Sequence, residues 1–421
     1  MRPAFLTRIA ALLLVVWPLQ PAAPAVCRRC GWKPPDGPTI KVRNVAELER
    51  AASSVRPGET ILLADGTYNL RRAIDIATPN VTVRGEHGDP ERVTLRGRGM
   101  TGDSVGVGLS VSAAHVTIAD VTIRDLGYHA VQVRGEQGAS HFTLHNARLR
   151  DTGQQLFKGS VSEGTVYADN GLVACSDFAY TTGAPSDYTN GVDLLATSGW
   201  VIRDNRFARI RGREADGWKS GPAILVWAAA AGTVVERNLI VDSFRGIALG
   251  LTEEPSRFAR NGERGYDHAG GVVRNNVIVN LNRWADESIE ANAARELRIE
   301  HNTIFVEGVT PWSIEVRFPA SDALVRNNLT NHRIFLRDGG RASLDGNVMS
   351  ARRSWFVDLS RADLRLTPDG RPAIDAGVPI ADATDDFDRA VRPAGRAPDA
   401  GAFESAMPGA GRPGRGRNQR E

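Results

Sequence analysis

One lysine stands out among the residues of this chain that could transfer a proton. The 421-residue sequence has 48 arginines but only four lysines, and Lys158 lies within the run TGQQLFKGSV. A lysine ammonium can lose its proton when it is desolvated or placed beside another cation, whereas an arginine in a protein effectively cannot. A site that needed only positive charge could have used arginine. The sequence therefore predicts Lys158 as a catalytic base.

A repeated sequence pattern predicts the β-strands that would position this lysine. A six-residue phrase recurs at irregular spacing: an apolar residue, two mostly polar residues, a special position, any residue and an apolar residue. Its short length and its apolar period of two indicate β-strands, and fixed phrases joined by variable loops are typical of a solenoid. The copies span residues 118–123, 144–149, 173–178, 202–207, 235–240, 273–278, 299–304, 325–330 and 344–349.

The special position of the phrase is asparagine in its last six copies. Parallel strands stacked coil on coil would put these side chains in one column at one bend, where they can hydrogen-bond to each other and to turn backbone. We therefore interpret them as structural rather than catalytic. The six residues are Asn205, Asn238, Asn276, Asn302, Asn328 and Asn347.

A second strand follows each phrase, and its side chains should alternate between the interior and the outer face. Apolar residues such as Phe157 should point inward, so Lys158 should point outward, about 4.8 Å from its neighbours on adjacent coils. The outward residues then form two columns. The first contains Gln132, Lys158, Asp193, Leu225, Ala248, Glu290, Glu315 and Phe335, and the second contains Arg134, Ser160, Leu195, Trp227, Gly250, Asn292, Arg317 and Arg337.

One end of this predicted face surrounds the lysine. Arg134 lies diagonal to Lys158 and is expected to lower its pKa, whereas Asp193 favours the charged form. These three residues are the predicted catalytic group. Gln132 and Ser160, their neighbours in the two columns, are predicted to bind substrate.

The other end of the face is acidic. Glu290 and Glu315 would stack directly, and two like charges at that spacing repel unless something intervenes. A pairing with Arg317 would offset them, and this is the interpretation we favour. The alternative is a Ca²⁺ ion bound between the glutamates, with Asn292 as a neutral ligand. All four residues are also predicted to contact substrate.

Two long loops, 180–190 and 252–270, could wall a groove along the face, and such loops are often functional. Between the charged ends, Trp227 beside Gly250 either stacks on a sugar ring or lies under a loop. Tyr188 of the first loop is a further predicted contact with substrate. If Lys158 supplies only charge, the base is to be sought among His129, Tyr188, Tyr266 and His268.

Composition and charge exclude other classes of protein. The net charge of +3 is small for this length, and the absence of a basic patch argues against nucleic-acid binding. Residues 1–25 have the positive start, short apolar run and small-residue cleavage site of a signal peptide, and no later stretch is long and apolar enough to span a membrane. We therefore expect an exported monomer, periplasmic or extracellular.

The ends of a solenoid need caps because their strand edges are open. Residues 45–55 are predicted to form an amphipathic capping helix at the start of a β-helix over 40–350. Residues 351–405 are predicted as a C-terminal cap. The basic, glycine-rich and proline-rich tail over 406–421 is predicted to be disordered.

The three cysteines fit an oxidising compartment. Cys27 and Cys30 form a C-x-x-C in the linker over 26–39, which favours a small disulfide loop over a metal site or a redox centre. Cys175 is then left unpaired and is predicted to be buried.

The capping helix, the run P-G-x-x-I-x-L-x-D-G-x-Y at 57–68 and the asparagine-marked coils resemble the pectate-lyase-like superfamily. The start is most similar to the group of chondroitinase B and alginate lyases. The resemblance covers residues 40–405 and implies an all-β fold, a single right-handed parallel β-helix. Because that superfamily contains lyases, hydrolases, epimerases and non-catalytic surface proteins, the function must be argued from a site.

The favoured function is a polysaccharide lyase, or a related epimerase, acting on an acidic polysaccharide that contains uronic acid. β-Elimination needs a base beside the sugar carboxylate and a cation that stabilises the enolate, and Lys158 with Arg134 or Ca²⁺ fits those roles. The Asn-Asn-Thr-Ser calcium stretch of the lyase group is absent, and the closest run is 301–304.

Two alternatives stay open. One is a glycoside hydrolase using Asp193, which would need Asp187 or Glu253 from the loops, because Glu290 lies roughly 14 Å away. The other is a non-catalytic carbohydrate-binding or envelope protein, which would tolerate the loss of Lys158.

Overall fold

Three short strands make up each coil of the protein. A representative coil consists of Thr117–Ala119, Thr122–Leu126 and His129–Arg134, and each strand pairs in parallel with the strands one coil before and one coil after. Apolar side chains from all three strands fill the interior as one continuous core. The computed structural model describes residues 31–102, 104–162, 165–254 and 257–407.

The strands assemble into three long parallel sheets, which we call sheets A, B and C in the order in which the chain visits them. Sheet A contains Thr39–Val42, Thr60–Leu63, Thr82–Gly85, Thr117–Ala119, Thr143–His145, Leu172–Ala174, Val201–Arg203, Val234–Glu236, Val272–Arg274, Leu297–Glu300, Asp322–Arg326 and Arg341–Asp345. Sheet B contains Gly66–Asn69, Val93–Arg96, Thr122–Leu126, Arg148–Thr152, Asp177–Ala179, Arg206–Ala208, Leu239–Val241, Val277–Asn280, Thr303–Val306 and Leu329–Thr330. Sheet C contains Ile74–Ile76, Val107–Val111, His129–Arg134, Phe157–Ser160, Val192–Leu195, Pro222–Trp227, Arg245–Leu249, Ile289–Asn292, Trp312–Arg317 and Arg333–Arg337.

The remaining elements are short. A small parallel sheet joins Ala230–Ala231, His268–Ala269 and Ala294–Arg295, and an antiparallel pair joins Phe356–Asp358 and Asp363–Leu366. The 3-10 turns are Gly135–Gln137, Glu214–Asp216, Arg260–Gly262, Arg353–Trp355, Leu359–Arg361 and Pro368–Ala373. Among the described residues, no helix is both long and apolar enough to cross a membrane.

Asparagines line the bend between sheets A and B. From Asn205 to Asn347, the Nδ2 of each asparagine donates to the Oδ1 of the asparagine on the next coil at 2.9–3.0 Å. The same Oδ1 accepts the backbone N–H of the preceding asparagine. Because a tight bend leaves buried backbone groups without a sheet partner, these side chains supply the hydrogen bonds that the turn lacks.

The N-terminal helix α1, Val45–Ser54, closes the first coils. The side chain of Asn44 caps it by accepting the backbone N–H of Glu47, and the Glu47 carboxylate accepts the backbone N–H of Arg43, the residue before the cap, at 2.7 Å. Leu48 and its apolar neighbours on the helix are buried against the core.

The C-terminal segment packs along the side of the solenoid. Trp355, Phe356 and Phe403 contact the apolar residues of sheet B that point away from the core, such as Val277 and Phe305. Because adjacent strand residues face opposite sides, these outward apolar residues would otherwise be exposed to water. The segment after residue 350 therefore covers the outer face of the last four strands of sheet B.

Cys175 is disulfide-bonded, so the prediction that it is unpaired is wrong. The predicted disulfide loop joins Cys27 and Cys30. Both lie outside the described residues, as do the predicted signal peptide and residues 408–421 of the predicted tail. Trp32 stacks on His145 with ring centroids 5.4 Å apart, and His145 pairs in register with Ala174, next to Cys175.

Candidate functional site

The outer face of sheet C carries the two columns of residues in the predicted register. Lys158 pairs with Gln132 on one side and with Asp193 on the other. Four coils from Lys158, Glu290 pairs with Glu315, and Asn292 pairs with Arg317. The face is more enclosed than the sequence suggests, because Lys158 is only 8% exposed and Asp193 is fully buried.

Lys158 lies in a closed cluster of polar groups. Its ammonium donates to Asp193 Oδ2 at 2.5 Å and to the Tyr188 hydroxyl at 3.3 Å. The other carboxylate oxygen of Asp193 accepts the indole N–H of Trp227 at 2.9 Å. Asp193 therefore holds Lys158 in place and is itself held by Trp227.

This cluster keeps Lys158 charged. Burial lowers the pKa of Lys158, but the negative charge of Asp193 and the hydrogen bonds to Asp193 and Tyr188 outweigh it, and the pKa is raised overall. The prediction that Arg134 lowers this pKa is wrong, because Arg134 turns to the preceding coil and donates to Ser110 Oγ at 3.0 Å. Lys158 is thus suited to supply positive charge rather than to accept a proton.

The other predicted residues at this end surround the cluster. Gln132 is half-buried in register between Ser110 and Lys158. Ser160 donates to Glu136 Oε2 at 2.9 Å and pairs in register with Arg134. Both side chains lie on the same face as Lys158, as predicted from the alternation.

Trp227 lies partly under the loops. It packs against Tyr167, Leu195 and Phe258 in a small apolar cluster outside the main core. Together with its hydrogen bond to Asp193, this packing favours a supporting role for Trp227 over an open stacking platform.

Of the four alternative bases, Tyr188 is the accessible one. Burial lowers the pKa of His129 to about 4 and that of His268 to about 3, so both rings are neutral and enclosed near pH 7. Tyr266 is 9% exposed, beneath the guanidinium of Arg295. Tyr188, in contrast, is 51% exposed and its hydroxyl touches Lys158.

The run Gly102–Gly106 matches the G-x-S-x-G pattern of serine hydrolases without its structural context. That motif places its serine on a turn from a strand into a helix. Here a strand of sheet C, Val107–Val111, follows Ser104, whose hydroxyl accepts the backbone N–H of Arg98 and donates to the carbonyl of Asp125. The local structure therefore does not support a serine nucleophile.

At the far end of the face, five residues form what we call the acidic patch: Asp286, Glu287, Glu290, Asn292 and Glu315. Arg245 contacts three of them, with nitrogens 2.8 Å from Asp286 Oδ2, 3.5 Å from Glu287 Oε2 and 3.8 Å from Glu290 Oε1. The sequence did not predict Arg245, Asp286 or Glu287 as site residues. Each of them comes before the residues of sheet C that were assigned to the two outward columns. The acidic run Asp286-Glu287-x-x-Glu290 was an available signal.

Arg317 pairs with Asp338 rather than directly with the two glutamates, although its positive charge still acts to lower the pKa of Glu315. Arg317 Nε lies 2.6 Å from Asp338 Oδ2, and it is Arg337 whose Nη1 lies 3.1 Å from Glu315 Oε2. Asp338 follows the last strand of sheet C at a bend with positive φ, which turns its carboxylate toward Arg317.

The acidic patch does not fit the proposed Ca²⁺ site. Ca²⁺ takes six to eight oxygen ligands, whereas Glu290 and Glu315 already face the cations of Arg245 and Arg337. Within the described ranges, no group of three or more His, Cys, Asp or Glu residues is arranged to hold a metal ion.

The acidic patch retains protons at neutral pH. Burial, helped by the hydrogen bond to Asp286, raises the pKa of Glu287 to about 8, and burial raises the pKa of Glu290 to about 7 against the opposing charge of Arg245. For Asp286, burial raises the pKa, but hydrogen bonds from Glu287 and Thr310 and the charge of Arg245 lower it overall. Asp286 and Glu287 therefore share a proton.

This proton makes stability depend on pH. The pKa of Glu287 is raised from 4.5 to about 8, so the folded state holds more protons than the unfolded state between those values, and stability falls as pH rises through that window. We expect the melting temperature to fall as pH rises from about 4.5 to about 8. In Glu287→Gln this fall should be smaller, and the exposed Glu263→Gln should behave as wild type. An equal fall in Glu287→Gln would show that Glu287 is ionised at neutral pH.

Comparisons with known proteins identify the fold. No protein-family model and no curated protein matches the chain. Among solved structures, pectate lyase Pel9A is similar over 84% of this chain and 90% of its own, with 15% identity and a TM-score of 0.50. A lacto-N-biosidase from Eubacterium ramulus covers 75% of this chain and 68% of its own, with 10% identity and a TM-score of 0.47. A Streptococcus pneumoniae surface protein and adhesin, PfbA, covers 72% and 92%, with 10% identity and a TM-score of 0.43.

The likeness to pectate lyase Pel9A shows the fold alone. Together with the three parallel sheets, it confirms that this protein is an all-β, right-handed parallel β-helix.

Proposed function

We propose that this protein is an exported polysaccharide lyase, or a related epimerase, that acts on a uronic-acid-containing polysaccharide at the Lys158 cluster. One observation carries the proposal: a charged lysine on the outer face of a rigid sheet contacts the hydroxyl of a half-exposed tyrosine at 3.3 Å. β-Elimination needs a fixed positive charge and a group that exchanges a proton within a few ångströms of each other.

Lys158 supplies the positive charge in this mechanism. Its raised pKa keeps the ammonium protonated near pH 7, and its burial beside Asp193 fixes its position. Removal of the proton next to a sugar carboxylate leaves an enolate, and a cation held in place before the reaction stabilises that negative charge without reorganisation. This role replaces the one that the sequence predicted for Lys158.

Tyr188 is the group placed to exchange the proton. Tyr188 is half exposed, whereas Asp193 is fully buried and has both oxygens engaged. As a phenolate, Tyr188 takes the proton next to the sugar carboxylate, and the phenol so formed returns a proton to the glycosidic oxygen that leaves when the C–O bond breaks. Gln132, Arg134 and Ser160 lie on the same face and are the proposed contacts to that sugar.

The glycoside-hydrolase alternative at Asp193 is less well supported. A hydrolytic carboxylate must reach the sugar or a water molecule, and Asp193 is fully buried between Lys158 and Trp227. The fold is shared with a protein named as a pectate lyase, which agrees with the proposed class but carries no information on this site.

The test is incubation of the purified protein with polygalacturonate, alginate, hyaluronan and chondroitin, followed by the ultraviolet absorbance of the unsaturated product. We expect absorbance to rise with at least one polymer. New reducing ends without this absorbance would overturn the elimination mechanism in favour of hydrolysis. Retention of a polymer in affinity electrophoresis without any product would favour the non-catalytic binding protein, and epimerisation would appear as a changed uronate composition.

A further inference from the structure

The acidic patch contains buried polar atoms without hydrogen-bond partners. Asn292 is 3% exposed and donates from Nδ2 to Glu290 Oε2 at 3.1 Å, yet its Oδ1 accepts no hydrogen bond from any described residue. Glu290 Oε1 also accepts no hydrogen bond from any described residue. On the next coil, the indole N–H of Trp312 has no acceptor among the described residues. Buried polar groups are normally paired, so acceptors and a donor left over in one place indicate a site that a ligand completes.

Aromatic rings lie next to the acidic patch. Trp312 begins the strand that contains Glu315, and its ring lies 4.8 Å from that of Phe335 on the next coil. Trp284 lies two residues before Asp286 in the sequence and stacks on Trp218 at 5.5 Å. Flat apolar rings beside a few directed polar groups are the usual lining of a site for a small organic ligand.

The charges around the acidic patch narrow the class of ligand. Arg245 and Arg337 already face the carboxylates, which disfavours a metal ion or an organic cation. The carboxylates of Asp286 and Glu315 disfavour a sugar acid by like-charge repulsion. An uncharged ligand with many hydroxyl groups suits both the carboxylates and the arginines, because a hydroxyl can donate to a carboxylate and accept from a guanidinium.

We propose that the acidic patch, with Trp312 and Phe335, is a second carbohydrate site that binds an uncharged sugar residue. Sugar hydroxyls donate to Glu290 Oε1 and Asn292 Oδ1, and Trp312 donates from its indole nitrogen to a sugar oxygen. Arg245 and Arg337 have side chains 33% and 28% exposed, so they lie between the glutamates and solvent and must shift when the sugar enters.

This site is separate from the one at Lys158. Four strand spacings, roughly 19 Å, separate Glu290 from Lys158 along the sheet. No step proposed at Lys158 and Tyr188 uses a residue of the acidic patch, so binding here stands whether or not the protein is a lyase.

The test measures binding, not turnover. Isothermal titration calorimetry with cellohexaose, mannohexaose, xylohexaose and chitohexaose should detect binding of at least one to the wild-type protein. Glu290→Gln and Trp312→Ala should each weaken that affinity at least tenfold. Trp32→Ala, which removes an indole stacked on sheet A, should leave it unchanged.

Two further measurements control for loss of folding. Thermal unfolding of each variant distinguishes lost binding from lost folding. Trp312→Phe keeps an aromatic ring but removes the indole N–H, and it should weaken binding even if Trp312→Ala does not fold. The proposal is overturned if none of the four hexaoses binds, if affinity survives in Glu290→Gln and Trp312→Phe, or if hexagalacturonate binds this site as well as the uncharged sugars do.

Discussion

Replacing Tyr188 with phenylalanine should reduce turnover of the active uronate polymer by about 10²- to 10⁴-fold, the usual contribution of a positioned acid–base group. The change removes only the hydroxyl that lies 3.3 Å from Lys158 Nζ and keeps the ring, which is half exposed on the face of sheet C. Binding of the polymer should persist, because Gln132, Arg134 and the charge of Lys158 remain. The measurement is the unsaturated-product assay, with affinity electrophoresis for binding.

The chain offers a matched control for Tyr188. Tyr128 is 54% exposed, close to the 51% of Tyr188, and precedes the neighbouring strand of sheet C. Tyr128→Phe should turn over like wild type. Wild-type turnover in Tyr188→Phe would remove Tyr188 from the mechanism.

The two substitutions Lys158→Arg and Lys158→Met separate charge from proton transfer. If Lys158 supplies charge, Lys158→Arg should keep more turnover than Lys158→Met, since arginine carries the same charge. If both variants lose turnover equally while still folded, Lys158 itself transfers the proton, as the sequence first predicted.

Replacing Asp193 with alanine should destabilise the fold by about 3–5 kcal/mol, the usual cost of removing one partner of a buried ion pair. Asp193 is fully buried, and both of its oxygens accept charged or indole donors. Its loss leaves the Lys158 ammonium, which is only 8% exposed, without its counter-charge. The measurement is the free energy of unfolding from urea denaturation.

A double mutant shows whether this cost arises from the unpaired charge. Asp193→Ala combined with Lys158→Met removes both charges and should cost less than Asp193→Ala alone. Asp187→Ala, in the exposed part of the nearby loop, should change stability by less than about 0.5 kcal/mol. A loss below about 1 kcal/mol in Asp193→Ala would place the pair in contact with water, as in a surface salt bridge.

Much of the candidate site could be predicted because strands have a simple geometry. Side chains alternate with a period of two, and parallel strands one coil apart bring matching positions together. The phrase repeat therefore sufficed to place Lys158 beside Asp193 and Glu290 beside Glu315, as the strand register shows.

The partners of those side chains could not be predicted in the same way. Long side chains reach several ångströms along and across a sheet, so a register position does not determine which charges meet. Arg317 was expected to pair with the glutamates but turns to Asp338, and Arg337 takes its place. Arg134 was expected beside Lys158 but turns to Ser110.

Site residues that lie outside the repeat were harder still to predict from the sequence. Tyr188 comes from a loop without periodicity, and Asp286 and Glu287 precede their strand, so no alignment of phrases brings them to the site. The disulfide bond at Cys175 was likewise not indicated by the spacing of the cysteines.

By itself, the sequence determined the repeat, the register of sheet C and the outward position of Lys158, because these follow from the alternation of side chains along a strand and from the stacking of matching positions on adjacent coils. The tertiary structure alone decided that Lys158 is charged, that Tyr188 is its exposed partner and that Asp286 and Glu287 share a proton. The physical reason is that protonation depends on burial and on the nearest charges, and both are set by how loops and long side chains close over the sheet.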